Sequence, residues 1–324
     1  MKSFLEDDLV PRFNYKASRD KIEKQLSRPL AAVSADLMGV ATSILDAIVR
    51  RWGHIHKFVE ENRGDPIERA EAEHYIEEYL EYHKFPGKLQ VRWVDHMNGS
   101  GIFQECGPRA EPTKRHLRLW INRNFEGVAF SRSIKSFTDH EICTHAMRAI
   151  NDHNQVWAKD RKKFCLHSLG SRKSAATEEG LASLNALMSY PDQHQYLWSA
   201  ALLYYCAVRG QEMGFAELHK HLAKYVKSPS VRYWHCIRAK GKRKDLSQPG
   251  ACGKGQVYLE GAVEILHNID NIDFHLLFSG RVPLGKLGRI KNLVRPSLVT
   301  LPRFVKDQDS YKAILRRVGE LNGI

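Results

Sequence analysis

The stretch HEICTH, residues 140 to 145, is the tightest constraint this chain places on its own fold. Two histidines that ligate one ion from a single helix usually stand four apart. His140 and His145 stand five apart. On an ideal α-helix five residues turn the side chain by about 140°, so the two rings point away from each other. A single wide turn, a π-bulge, absorbs one residue and brings both back to one face. Two readings follow: a surface helix with two titrating histidines, or a metal-binding helix distorted over Ile142 to Thr144. In the second reading Glu141, beside the first histidine, is placed to take a proton from water at the metal.

A catalytic zinc takes three protein ligands and keeps one position open. TEEGLA, residues 177 to 182, offers the best third ligand. Thr177 is read as the cap of a helix that buries Leu181, Leu184, Leu187 and Met188, which puts Glu178 and Glu179 in its first turn. Acids are favoured there because they face the positive helix end. Spacing alone therefore fits a cap and a ligand equally.

The rest of the chain reads as mainly helical. Leu30, Val33, Leu37, Val40, Ile44 and Ile48 recur at steps of three and four, predicting a helix over about 28–51. A second, acidic helix is predicted over 67–83 and is broken by KFPG. KLQVRWV and HLRLWIN alternate as strands, with NGSG as a turn between them. Ile134, Phe137, Ile142, Ala146 and Ile150 fit one helix carrying HEICTH, and 151–176 reads as a long loop. Further helices are predicted near 193–209, 214–226, 229–239 and 256–269. Residues 1–27 read as a charged lead-in, and 28–324 as one domain without a linker.

Composition bounds the setting. The 324 residues carry a net charge of +13, which favours an anionic partner: nucleic acid, an acidic membrane surface or an acidic polypeptide. The start, MKSFLEDDLVPRF, lacks the apolar core of a signal peptide. The most apolar stretch, Leu30 to Val49, holds Asp36 and Asp46 and makes a poor membrane span. Six cysteines without a CxxC pair read as reduced and intracellular. GACGKG, 250–255, lacks phosphate-loop spacing and reads as a plain loop.

DHEICTHAMRAIN followed by TEEGLA resembles the paired signature of the QEGLA-motif metallopeptidase family, whose usual first motif is HEIGTH. Downstream, YLWSAALLYYCAVRGQEMGF and QPGACGKGQVYLEGAVEILHNIDNIDFHLL are similar to its branch of microtubule-associated tyrosine carboxypeptidases. The resemblance implies an α+β, mainly helical, zinc-peptidase-like domain, with a small, mostly antiparallel sheet preceding a π-bulged HExxxH helix. It implies one zinc ion held by His140, His145 and Glu179, with Glu141 as general base and proton donor. It implies removal of the C-terminal tyrosine of α-tubulin, hence a cytoplasmic location on microtubules, with neither nucleic acid nor membrane as partner. Another acidic C-terminal substrate, or a catalytically silent microtubule-binding relative, are the alternatives.

Cys143 stands where the family usually has glycine, and a fourth protein ligand there would close the open position. Arg148, Arg238 and Lys240 are candidates for binding a substrate carboxylate, because forked or charged donors suit that group. Tyr258 is the candidate oxyanion donor, Tyr205 reading as core. The strand near 117–121 is expected to guide an extended substrate by edge pairing.

Overall fold

A computed structural model describes residues 31–95, 101–106, 116–123, 128–166, 169–241 and 245–324. The lead-in 1–27 and most of NGSG lie outside them. In chain order the helices are α1 (Met38–Trp52), α2 (Ile55–Asn62), α3 (Arg69–Tyr82), α4 (Ser131–His140), α5 (Met147–His153), α6 (Arg172–Asn185), α7 (Trp198–Glu212), α8 (Phe215–His221), α9 (Pro229–Lys240), α10 (Val257–His267), α11 (Phe274–Phe278), α12 (Leu287–Ile290), α13 (Arg303–Lys306) and α14 (Gln308–Asn322). The strands β1 (Leu89–Val94), β2 (Gly101–Cys106) and β3 (His116–Asn122) fall between α3 and α4. Where the sequence suggested one domain, the chain groups into two compact units: Met1–His56 with Trp198–Gln256, and Lys57–Leu197 with Val257–Ile324. Among the described residues no helix is long and apolar enough to cross a membrane.

In the first unit α1 buries Ala41, Ile44, Leu45, Ile48 and Trp52 against α7. The helix starts at Met38, ten residues later than its apolar spacing predicts. Ser34 explains the delay: its N–H donates to Gln256 Oε1 at 2.9 Å and its carbonyl accepts from Gln256 Nε2 at 2.6 Å. Those bonds hold the backbone extended, and α1 can begin only beyond them.

The second unit carries the HEICTH helix. β3 is its central strand, parallel to β1 and antiparallel to β2, in the order β1-β3-β2. The sheet is thus mixed, with one parallel and one antiparallel pair, rather than mostly antiparallel. GIFQEC forms a strand that its short, half-polar sequence did not announce. β3 is hydrogen-bonded on both sides, so it has no edge to offer a substrate; among the described residues the outer strands are β1 and β2. Leu117, Leu119 and Ile121 point from β3 into the core and are fully buried. Leu119 and Ile121 pack with Ile134, Phe137 and Ile142, and Leu117 packs with Ala146 and Ala149. The sheet is therefore the floor on which the HEICTH helix lies.

Candidate active site

Between α4 and α5 the backbone runs as a π-helix over Glu141–Ala146. The wide turn that the five-residue spacing demands spans the whole motif rather than Ile142 to Thr144 alone. Met147 N–H reaches back to the carbonyl of Ile142, five residues earlier, and Thr144 Oγ1 donates to the carbonyl of Asp139 at 2.9 Å. The turn brings the His140 and His145 rings to 4.9 Å between centroids.

α6 supplies the third group. It begins at Arg172, capped by Ser171, whose hydroxyl accepts from Ser174 N–H. Thr177 is consequently inside the helix, not its cap, and Glu178 and Glu179 sit mid-helix. The capping explanation for these two acids falls away. Glu179 Oε2 lies 3.7 Å from His140 Nε2 and 3.6 Å from His145 Nε2. Ligands of a tetrahedral zinc, each about 2.0–2.1 Å from it, stand roughly 3.3–3.5 Å apart. Both Glu179 pairs come within a few tenths of an ångström of that spacing, and the three ligand atoms all lie within 4.8 Å of one another.

Glu178 holds His145 from behind. Its Oε1 lies 3.0 Å from His145 Nδ1, and its Oε2 accepts from Arg148 Nη1. With Nδ1–H directed at Glu178, Nε2 is the nitrogen turned to Glu179 and the one that would give up its proton to ligate a metal. Burial would raise the Glu178 carboxyl, but Arg148, Arg281 and His145 hold it down at about 2. Burial likewise opposes charge on His145, yet Glu179, Glu178 and Glu141 outweigh it and lift the imidazole to about 10. Three carboxylates around two imidazoles make a pocket that favours a cation.

Glu141 is 8% exposed and makes no side-chain hydrogen bond among the described residues, so structure does not tie up its carboxylate. Phe103 of β2 lies nearly parallel to the His145 ring at 6.5 Å. Cys143 points elsewhere. Its Sγ is 3.0 Å from Tyr79 Oη, which also donates to Asp139 Oδ1, so the thiol is turned toward the core and not toward the trio. Burial pushes that thiol far above its ordinary range, which keeps it protonated. His83, Asp139 and Cys143 also lie within reach of one ion. His83 Nδ1, however, accepts the N–H of Arg303 at 3.2 Å, which sets the ring proton on Nε2, and Tyr79 satisfies the other two groups. That trio reads as a hydrogen-bonded core.

The predicted carboxylate binders are differently placed in the fold. Arg148 is fully buried; it meets Glu178, the Leu277 carbonyl at 3.2 Å and the Val282 carbonyl at 3.0 Å, so its donors are engaged. With Asn151, which bonds Phe278 O and the backbone carbonyl and N–H of Thr300, it ties residues 277–300 to α5. Lys240 is fully buried in the first unit, its ammonium surrounded by the carbonyls of Gly210, Met213, Gln248 and Gly250. It closes a loop and has no proton left for a substrate. Arg238 is exposed on α9 of the same unit. Tyr205 donates or accepts at 2.7 Å with His221, as a core residue does. Tyr258 is half-buried at the second position of α10, the helix that packs along α6. Sequence reasoning missed Arg281, which lines a cleft with Leu169, Ser174, Ala175, Glu178 and Glu179.

Residues 25–320 match the family model described as microtubule-associated tyrosine carboxypeptidase. The chain is 32% identical over 283 residues to the mouse protein named "Putative tyrosine carboxypeptidase MATCAP2", covering 86% of this chain and 51% of that protein. Its human counterpart is 41% identical over 186 residues, covering 56% and 34%. Human microtubule-associated tyrosine carboxypeptidase 1 is 28% identical over 315 residues, covering 96% and 63%. The chain thus spans less than two thirds of each of these relatives. It belongs to the microtubule-associated tyrosine carboxypeptidase family.

Proposed function

We propose that this chain is a zinc-dependent carboxypeptidase that removes the C-terminal tyrosine of α-tubulin. The observation that carries the reading is the π-turn. It brings His140 and His145 together beside Glu179, with Glu141 uncommitted next to them. A backbone distortion of this kind is expected where function requires it.

His140, His145 and Glu179 would hold the ion. When bound, zinc supplies a Lewis acid that polarises the scissile carbonyl and eases ionisation of water. The chain supplies the rest. Glu141 accepts the proton of the attacking water and returns it to the leaving amine, a role suited to a carboxylate with no structural partner. Glu178 keeps His145 in one tautomer. Tyr258 is the phenol proposed to donate to the oxyanion.

The substrate reading draws on charge as well as on family. Phe274 to Lys306 holds seven cations (Arg281, Lys286, Arg289, Lys291, Arg295, Arg303 and Lys306) and no acid. A segment of one sign attracts an acidic polypeptide such as the glutamate-rich α-tubulin tail. On this reading the chain works in the cytoplasm, on microtubules.

Mass spectrometry of a tail peptide ending in Glu-Glu-Tyr, incubated with zinc-loaded protein, tests the proposal. Loss of one tyrosine residue is the expected result, and it should vanish in Glu141→Gln. A peptide left intact by folded, zinc-loaded protein overturns the assigned substrate. Salt-sensitive binding of the tail without cleavage would then favour a silent microtubule-binding relative.

A further inference from the structure

We propose that Arg281 receives the free α-carboxylate of the substrate's C-terminal residue, which would make the site selective for chain ends. The inference rests on the carboxypeptidase reading above for its substrate class, but on separate observations for the residue.

Arg281 shares a cleft with Glu179, so a chain reaching the trio through it also meets the guanidinium. That guanidinium is incompletely satisfied. Nε is buried with no hydrogen-bond partner, standing 3.7 Å from Glu178 Oε1. Nη1 has one long contact, 3.5 Å to Glu105 Oε2. The side chain is 22% exposed, so it is open to a ligand from the cleft side. A planar carboxylate matches the planar fork of an arginine and could meet the part of it that is exposed to the cleft. Arg148 and Lys240, by contrast, are saturated by partners of the fold.

The backbone under Arg281 is fixed, so the base of its side chain is held in place before any ligand arrives. Its N–H donates to Asp152 Oδ1 at 3.0 Å and its carbonyl accepts from Arg161 Nη2 at 2.7 Å. Gly280 lies so close to Asp152 that a Cβ would come within 2.5 Å of Oδ1. The Val282 carbonyl accepts from Arg148, and Leu284 N–H donates to Thr177 Oγ1 at 2.9 Å. Residues 280–284 are therefore bound to α5, which continues the π-turn, and to α6, which carries Glu179. Preorganised donors of this kind bind with little ordering cost.

The test measures binding rather than turnover. Zinc-loaded Glu141→Gln protein is titrated with two peptides ending in Glu-Glu-Tyr, one a free acid and one a C-terminal amide. Both carry the same glutamate side chains, so the comparison isolates the terminal carboxylate. The acid should bind about 10- to 100-fold more tightly, the range for hydrogen bonds to a charged group. Arg281→Gln in the same background should erase that ratio with zinc content unchanged. Arg281→Lys keeps the charge beside Glu178 and Glu105 but loses the fork, and should retain only part of the ratio; it carries the test if the Gln variant does not fold. Equal binding of acid and amide by the parent, or an undiminished ratio in a folded variant, overturns the inference. Failure of unmodified protein to cleave the acid peptide would sink the proposed activity while leaving the binding result readable.

Discussion

Gly180 of α6 and Gly261 of α10 meet backbone to backbone: a Cβ on Gly180 would lie 2.2 Å from the carbonyl carbon of Gly261, and one on Gly261 would lie 1.7 Å from Ala176 O. Alanine normally improves a helix by up to about 1 kcal/mol over glycine. Here backbone cannot yield to a methyl, and the clash wins. Gly261→Ala should destabilise the protein by about 1–3 kcal/mol or more, read as a lower urea midpoint. Because Glu178 and Glu179 directly precede Gly180, zinc affinity should fall with it.

Glu178 fixes His145 and neutralises the fully buried Arg148. Glu178→Gln keeps the size and can still accept from Nδ1, but removes the charge that both partners need. Zinc affinity should drop by about 10- to 100-fold, measured by competition with a chromophoric chelator. Unchanged affinity would mean that His145 is oriented by packing alone.

The Tyr79 hydroxyl sits between the Asp139 carboxylate and the Cys143 thiol, on the core side of the π-turn. Tyr79→Phe leaves a 6%-exposed carboxyl without its donor. A loss of about 1–3 kcal/mol is expected in chemical denaturation. Zinc release should also quicken, since Asp139 and Cys143 bracket the turn that aligns the histidines.

His235, in the first unit, gives a pH signature. Burial, and then the charge of Arg238, lower its imidazole to about 4, and its buried Nδ1 has no hydrogen-bond partner. An unfolded histidine titrates near 6.5. Between those values the unfolded chain binds the extra proton, so stability is full above about pH 6.5 and is lost as pH falls toward 4. At pH 4.5 the loss from this residue amounts to about 2.5 kcal/mol. His235→Leu should narrow the parent's stability difference between pH 7 and pH 4.5, read by urea unfolding, by about that amount.

The helices and the π-turn were legible because their signals are local: apolar steps of three and four, and two histidines one residue too far apart. The sheet order was not. Nothing in KLQVRWV or HLRLWIN says which strand is central, and GIFQEC is too short and polar to declare itself. The start of α6 was misplaced at Thr177 because Ser171, its actual cap, is followed by charged residues rather than an apolar stripe. Arg148, Lys240 and Arg281 illustrate the deeper limit. All three are basic residues in plausible motifs, and only the carbonyls and carboxylates that meet them in space separate two fold-holding side chains from one facing a cleft.

The π-turn contains one residue more than an α-helix would need, and the flanking helices already run in the phase of a shorter sequence. Loss of the Cys143 codon would leave His-Glu-Ile-Thr-His, the four-apart spacing, with α4 and α5 keeping their faces. One ligand pair is thus encoded in two reading lengths that differ by a single in-frame triplet. The same deletion placed in the regular α6, ahead of Glu179, would swing that carboxylate about 100° around its axis and away from the histidines.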